Sequence, residues 1–175
     1  MRVVAGELRG RRLASPPRGA GVRPTSDRVR EALFSILGDR VVGARVLDLF
    51  AGTGALAIEA ISRGASDAIL VDDNTSLAQR NVDALELADR CRLVRADVER
   101  FLGREQGRFG LSFCDPPYTL ADRLQAPLDK LLPDRVAEGG VVVVESAARA
   151  PLRLAMRELT ERRYGDTHIG VYVDG

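Results

Sequence analysis

From position 45 onward, short apolar runs alternate with stretches in which apolar residues recur every three to four positions. The runs at 46–50, 68–71, 92–94, 111–114 and 141–144 predict five strands. The stretches between them predict helices over 55–63, closed by Gly64, over about 75–87, near 98–102 and over about 121–132. The run 141–144 is Val at every position, as suits a central strand covered on both faces. Regular strand–helix alternation makes an α/β fold, a parallel sheet with helices on both sides.

Both ends of the chain depart from that rhythm. Segments 157–163 and 167–173 read as two strands joined at Tyr164-Gly165-Asp166, a closing antiparallel hairpin. At the other end, Val3-Val4 and Arg12-Leu13 flank Gly6 and Gly10, which predicts a short β-hairpin over 1–13. Residues 14–24 hold Pro16, Pro17, Gly19, Gly21 and Pro24 and predict an irregular loop. Thr25 or Ser26 then caps a helix running to about Leu37, with an apolar stripe of Val29, Leu33, Ile36 and Leu37 and a stop at Gly38. The organisation expected is an N-terminal basic hairpin arm over 1–24 and one domain over 25–175.

Composition adds limits. With 175 residues, 45% hydrophobic and 29% charged, the chain suits one soluble globular domain with a full core. No apolar run approaches the ~20 residues of a membrane span, and the first residues hold no secretory signal. Cys91 and Cys114 have neither metal-ligand nor redox spacing, and Cys114 sits in an apolar run as a small buried residue. Together these features are read as a cytoplasmic protein that is a monomer and meets no membrane. The net charge of +1 conceals an asymmetry. Arg2, Arg9, Arg11, Arg12, Arg18, Arg23, Arg28 and Arg30 face only Glu7 and Asp27 in the first 30 residues, so that segment carries +6 and the rest −5. A preference for Arg over Lys runs through the whole chain, but clustering at one end does not follow from it. A basic arm on an acidic body predicts a polyanionic partner, and nucleic acid fits best.

Two constellations carry chemistry. In the first, Asp48-Leu49-Phe50-Ala51-Gly52-Thr53-Gly54 leads a strand through a glycine-rich turn into a helix. Gly52 and Gly54 allow close backbone approach to a ligand, and the helix start offers free N–H groups. Two glycines alone make a weak signal. Asp72, which ends the next strand about twenty residues on, adds an acid suited to both hydroxyls of a ribose. That spacing also occurs in dinucleotide-binding proteins, so it leaves the cofactor open. In the second, Asp115-Pro116-Pro117-Tyr118 follows the fourth strand. The prolines remove two N–H donors, leaving a carboxylate, free carbonyl oxygens and an aromatic face. Such an acceptor-rich site beside a flat platform suits a planar substrate bearing an NH₂ group.

Asp115-Pro116-Pro117-Tyr118 resembles the D/N-P-P-Y/F/W motif of amino-methyltransferases, and Asp48 to Gly54 resembles their cofactor motif. More narrowly, the chain resembles the bacterial 16S ribosomal RNA guanine-N2 methyltransferase family. The matching stretches are the block R-P-T-S-D-R-V-R-E-A-L-F from Arg23 to Phe34, residues 46–64, the D-P-P-Y, and Tyr164-Gly165-Asp166-Thr167. The Arg23 to Phe34 block is the most specific, because other methyltransferases lack it. One departure is Asp72-Asp73, where members often carry Glu. The link between the fifth strand and the final hairpin is also short.

The resemblance implies a Rossmann-like methyltransferase fold with a seven-stranded, mostly parallel sheet whose last strand is reversed. It implies S-adenosylmethionine as cofactor and a guanine of 16S rRNA, in an assembling small subunit, as target. Phe50, Gly52 and Gly54 then cradle the cofactor, Asp48 holds its ammonium group, Asp72 its ribose and Asp97 its adenine amine. Asp115 and Pro116 hold the target amine, Pro117 fixes the turn, and Tyr118 stacks on the base. Arg2, Arg9, Arg11, Arg12, Arg23, Arg28 and Arg30 are the expected RNA-binding residues. This chemistry requires no metal, and the single His168 reads as structural or solvated. D-P-P-Y also permits an adenine-N6 DNA methyltransferase, although nothing here resembles a target-recognition domain. A protein-glutamine methyltransferase would carry N-P-P-Y. A binding module without turnover is disfavoured by an intact glycine turn with both Asp48 and Asp115.

Overall fold

The computed structural model describes residues 1–16 and 26–175. Most of the loop expected at 14–24, with Arg18 and Arg23, lies outside the described residues.

Helix α1 (Asp27–Leu37) is followed by β1 (Arg45–Leu49), α2 (Ala55–Ser62), β2 (Asp67–Asp72), α3 (Ser76–Ala84), β3 (Cys91–Arg95), α4 (Val98–Leu102), β4 (Phe109–Cys114), α5 (Ala121–Leu131), β5 (Val136–Ala147), β6 (Arg157–Tyr164) and β7 (Thr167–Val173). The strands form one seven-stranded sheet in the order β3-β2-β1-β4-β5-β7-β6. Five are mutually parallel, and β7 runs antiparallel between β5 and β6. The Rossmann-like sheet with a reversed last strand is therefore present, and its closing hairpin turns at Gly165, whose φ of 62° favours glycine. Strand β5 is longer than the 141–144 run because its first part, around Gly139 and Gly140, passes a register shift opposite Phe109 and Leu111.

Alternation along the strands divides the core. Val46, Leu70, Leu111, Phe113, Val141 and Val143 pack with α1, α2 and α3 on one face. Leu47, Leu49, Ile69, Val71, Val142 and Val144 pack with α4 and α5 on the other. Asp48 shares the first face with Val46, which directs its carboxylate to the start of α2 rather than to solvent.

The N-terminal segment folds back on itself as expected, but through one antiparallel bridge, Arg2 to Arg12, in place of a hairpin ladder. Val3, Gly10 and Leu13 bond within the segment, and four other backbone N–H groups are spent on α2. The N–H groups of Val4 and Ala5 donate to the Glu59 carboxylate at 2.8 and 3.0 Å, and those of Glu7 and Leu8 donate to Ser62 at 2.8 and 3.0 Å. At Gly6 the approach is so close that a Cβ would stand 1.8 Å from the Ser62 carbonyl oxygen. Val3 and Leu13 are buried in the same core as α1 and α2.

Helix α1 starts at the Ser26 cap, whose Oγ accepts the Val29 N–H. Its buried face is Arg30, Leu33, Phe34 and Leu37, an i, i+3, i+4, i+7 stripe. This corrects the reading of Arg30 as an exposed phosphate ligand: the side chain is fully buried, 3.5 Å from Glu59 and 2.9 Å from Asp27. Arg63 of α2 also reaches Glu59, at 2.8 Å. One buried carboxylate thus holds the arm, α1 and α2 together. Replacing it by Glu59→Ala leaves a buried guanidinium and two backbone N–H groups without their acceptor. Denaturant unfolding is expected to show a loss of about 3–5 kcal/mol. Asp67→Ala, which removes the exposed pair with Arg45, is expected to cost under about 1 kcal/mol.

Candidate active site

Strand order reverses between β1 and β4, the point at which open α/β sheets hold ligands beyond their carboxyl ends. Leu49 at the end of β1 pairs with Cys114 at the end of β4. The glycine turn and the Asp115–Tyr118 turn therefore leave the sheet side by side, and the Asp115 N–H lies 3.5 Å from the Leu49 carbonyl. A cleft of about 670 Å³ opens there. Asp48, Phe50, Gly52, Asp72, Asp97 and the whole Asp115–Tyr118 turn line it. Two regions far apart in sequence thus line one cleft.

The turn is built for close approach. Phe50 takes a left-handed conformation at φ 63°, which ends β1 one residue earlier than its apolar pattern suggests. The Gly52 N–H donates to Asp72 Oδ2 at 2.8 Å, and a Cβ on Gly52 would meet nothing nearer than 3.9 Å. Its missing side chain leaves open space on the cleft side. Gly54 has a different part. It caps α2 at φ 75° and stands back from the cleft, and a Cβ there would sit 2.8 Å from the Leu70 side chain. Its need for glycine is set by helix–strand packing.

The cleft is acidic. Asp48 is buried and accepts the Ala57 N–H at 3.1 Å. Burial pushes its pKa up to about 7, against the pull of that hydrogen bond and with a further push from the Asp72 charge. Asp115 is held well above the usual carboxylate range, first by burial and then by the charges of Glu145 and Asp48. Asp72 accepts N–H groups from Gly52 and Asn74 at 2.8 and 2.9 Å, yet burial still raises its pKa. Asp97 caps α4 by accepting the Arg100 N–H at 3.0 Å. Asp73 and Glu145 complete the acidic lining. Such a set favours a cationic ligand. Tyr118 is 40% exposed at the rim, its hydroxyl 3.5 Å from the Thr167 hydroxyl where β7 begins.

Of the expected RNA-binding residues, Arg2, Arg9, Arg11, Arg12 and Arg28 are exposed, and Arg30 lines the cleft from inside. His168 is buried, with Nε2 3.0 Å from Glu161, which also pairs with Arg153 at 2.7 Å. Asn81 is an unforeseen part. Its buried amide exchanges hydrogen bonds with Ala14 at 2.7 and 3.1 Å and donates to the Thr53 carbonyl at 2.8 Å, tying arm to glycine turn. No local pattern marks it. The 30/33/34/37 stripe, by contrast, is visible in the sequence and identifies Arg30 as inward-facing.

Residues 1–173 match the family described as Conserved hypothetical protein 95. The chain belongs to this family. A Bacillus subtilis (strain 168) protein, provisionally named rRNA methyltransferase YlbH, is 37% identical to this Conserved hypothetical protein 95 member over 98% of each chain. Ribosomal RNA small subunit methyltransferase D of Escherichia coli (strain K12) is 39% identical over 120 residues, 67% of this chain and 60% of that one. A solved Escherichia coli structure, provisionally named methyltransferase yhhF, superposes with a TM-score of 0.82 at 32% identity, covering 99% of this chain and 97% of its own.

The raised Asp48 pKa makes the fold of this family member sensitive to pH. A carboxyl that is harder to ionise when folded costs nothing below its unfolded value near 3.8, and costs progressively more as pH rises through about 7. Asp48→Asn removes that cost while keeping an oxygen for the Ala57 N–H. Its stability relative to the unaltered protein is expected to rise by about 2–3 kcal/mol between about pH 5 and pH 8, read by denaturant unfolding at both. A pH-independent difference contradicts the burial of an ionising Asp48.

Proposed function

We propose that the chain methylates the exocyclic N2 amine of a guanine in 16S rRNA, using S-adenosylmethionine, on an assembling small ribosomal subunit. It is an rRNA methyltransferase of the small-subunit methyltransferase D kind. The observation that carries this reading is the emergence of Asp115-Pro116-Pro117-Tyr118 beside the glycine turn, at one mouth of one acidic cleft.

The residues present fit the cofactor. It carries positive charge at its sulfonium and ammonium groups, and the cleft supplies six carboxylates. The open space at Gly52 admits a ligand against the backbone. When bound, the cofactor supplies a methyl group activated by the sulfonium charge. Asp48 takes the ammonium group, the turn of Phe50 and Gly52 cradles the amino-acid end, Asp72 takes the ribose hydroxyls and Asp97 the adenine amine.

Guanine's amine is a poor nucleophile because its lone pair is spread into the ring. The Asp115 carboxylate and the Pro116 carbonyl accept its two N–H groups, drawing the nitrogen toward tetrahedral geometry and freeing the lone pair. Pro117 keeps the turn rigid, and Tyr118 stacks on the base. As the nitrogen gains its methyl group it becomes cationic, and a neighbouring carboxylate favours that charge. The excess proton passes to Asp115, whose raised pKa suits it to hold one. Arg2, Arg9, Arg11, Arg12, Arg23 and Arg28 hold the RNA backbone through phosphate contacts.

The test is incubation of the protein with isotopically labelled S-adenosylmethionine and, separately, small-subunit rRNA, small subunits and DNA, followed by nucleoside analysis. Label in N2-methylguanosine from small-subunit RNA is expected. Label in N6-methyladenine from DNA, with none in RNA, overturns the assignment.

A further inference from the structure

We propose that Arg30 binds the carboxylate at the amino-acid end of S-adenosylmethionine, an assignment that rests on the cofactor reading above. Among the described residues lining the cleft, every ionisable side chain other than Arg30 and the rim Tyr118 is an acid: Asp48, Asp72, Asp73, Asp97, Asp115 and Glu145. That set suits the two cationic groups of the cofactor and repels its one anion. Arg30 is the single basic side chain in the set.

The guanidinium is also incompletely used. Nη2 donates to Asp27 at 2.9 Å and to the Arg2 carbonyl. Nε lies 3.5 Å from a Glu59 oxygen, an ion pair without hydrogen-bond geometry, and Nη1 has no acceptor among the described residues. The side chain has no exposed surface, so water does not supply the missing partners. Leaving buried charged donors unmet costs more than leaving neutral ones unmet. Nη1 alone carries two N–H groups, and a carboxylate ligand satisfies them with charge assistance. Arg63 and two backbone N–H groups already engage Glu59, and Asp27 is 47% exposed, so neither neutralises Arg30 fully. Helix α1 lies on the sheet face that also carries Asp48, through contacts such as Phe34 with Phe113 at 5.7 Å between ring centres. The ammonium and carboxylate of one amino-acid group thus meet Asp48 and Arg30 from the same side of the sheet.

The test compares S-adenosylmethionine with its decarboxylated analogue, by calorimetry, on the full chain and on Arg30→Gln and Arg30→Lys. The unaltered protein is expected to prefer the carboxylated ligand by about tenfold or more, the range of a charged hydrogen bond. Arg30→Gln is expected to bring the two affinities within about threefold by weakening the carboxylated ligand alone. Arg30→Lys keeps the charge against Glu59 and Asp27 but loses the planar fork, and is expected to fall between. It also answers the question if Arg30→Gln fails to fold. Equal affinities in the unaltered protein, or an equal loss for both ligands in the variants, overturn the assignment and leave Arg30 a packing residue. If the unaltered protein binds neither ligand, the cofactor reading itself falls.

Discussion

Parallel pairing of β1 with β4, ending at Leu49 against Cys114, is the constraint on which the site depends. Two turns separated by more than sixty positions reach the same edge of the sheet because their strands are neighbours and run the same way. Each turn is kept short and stiff by its own means. Phe50 and Gly52 hold left-handed conformations in one, and two prolines hold the other. A slip of this register by one residue would either turn Asp48 away from α2 or carry Asp115 to the opposite face, and so separate the two.

Charge organises what the register places. Acids gather in the cleft, where burial and mutual repulsion raise the pKa values of Asp48 and Asp115. A cationic ligand relieves that repulsion, which adds to its binding energy. Behind the cleft, Glu59 does the reverse. It collects Arg63, Arg30 and the backbone of the arm, and so fixes α1 and the basic segment relative to the glycine turn. Asn81 adds a second tie between the arm and that turn. The basic segment proposed to meet RNA and the cleft proposed to hold the cofactor are parts of one packed body, with Val3 and Leu13 of the arm in its core.

Much of this was legible in the sequence because it rests on periodicity and local chemistry. Strand–helix alternation, the closing hairpin and both motifs obey short-range rules, and each stands where those rules put it. The ends of elements shifted where backbone strain or a register shift intervened, as at Phe50 and near Gly139. By charge Arg30 belongs with the exposed arginines, but its spacing puts it on the buried stripe with Leu33, Phe34 and Leu37. The G-x-G pattern points both glycines at a ligand, whereas helix packing against Leu70 accounts for Gly54. Glu59 and Asn81 tie down the arm through backbone partners more than fifty positions away, and no local pattern signals such contacts.

The central claim is that Asp115 acts on the reacting amine and not on the cofactor. Single-turnover methyl transfer to small-subunit RNA, at saturating cofactor and RNA, measures this most directly in Asp115→Ala. The account predicts a rate lower by roughly two to four orders of magnitude, with S-adenosylmethionine affinity within about threefold of the unaltered protein. A near-unaltered rate in this variant would contradict it.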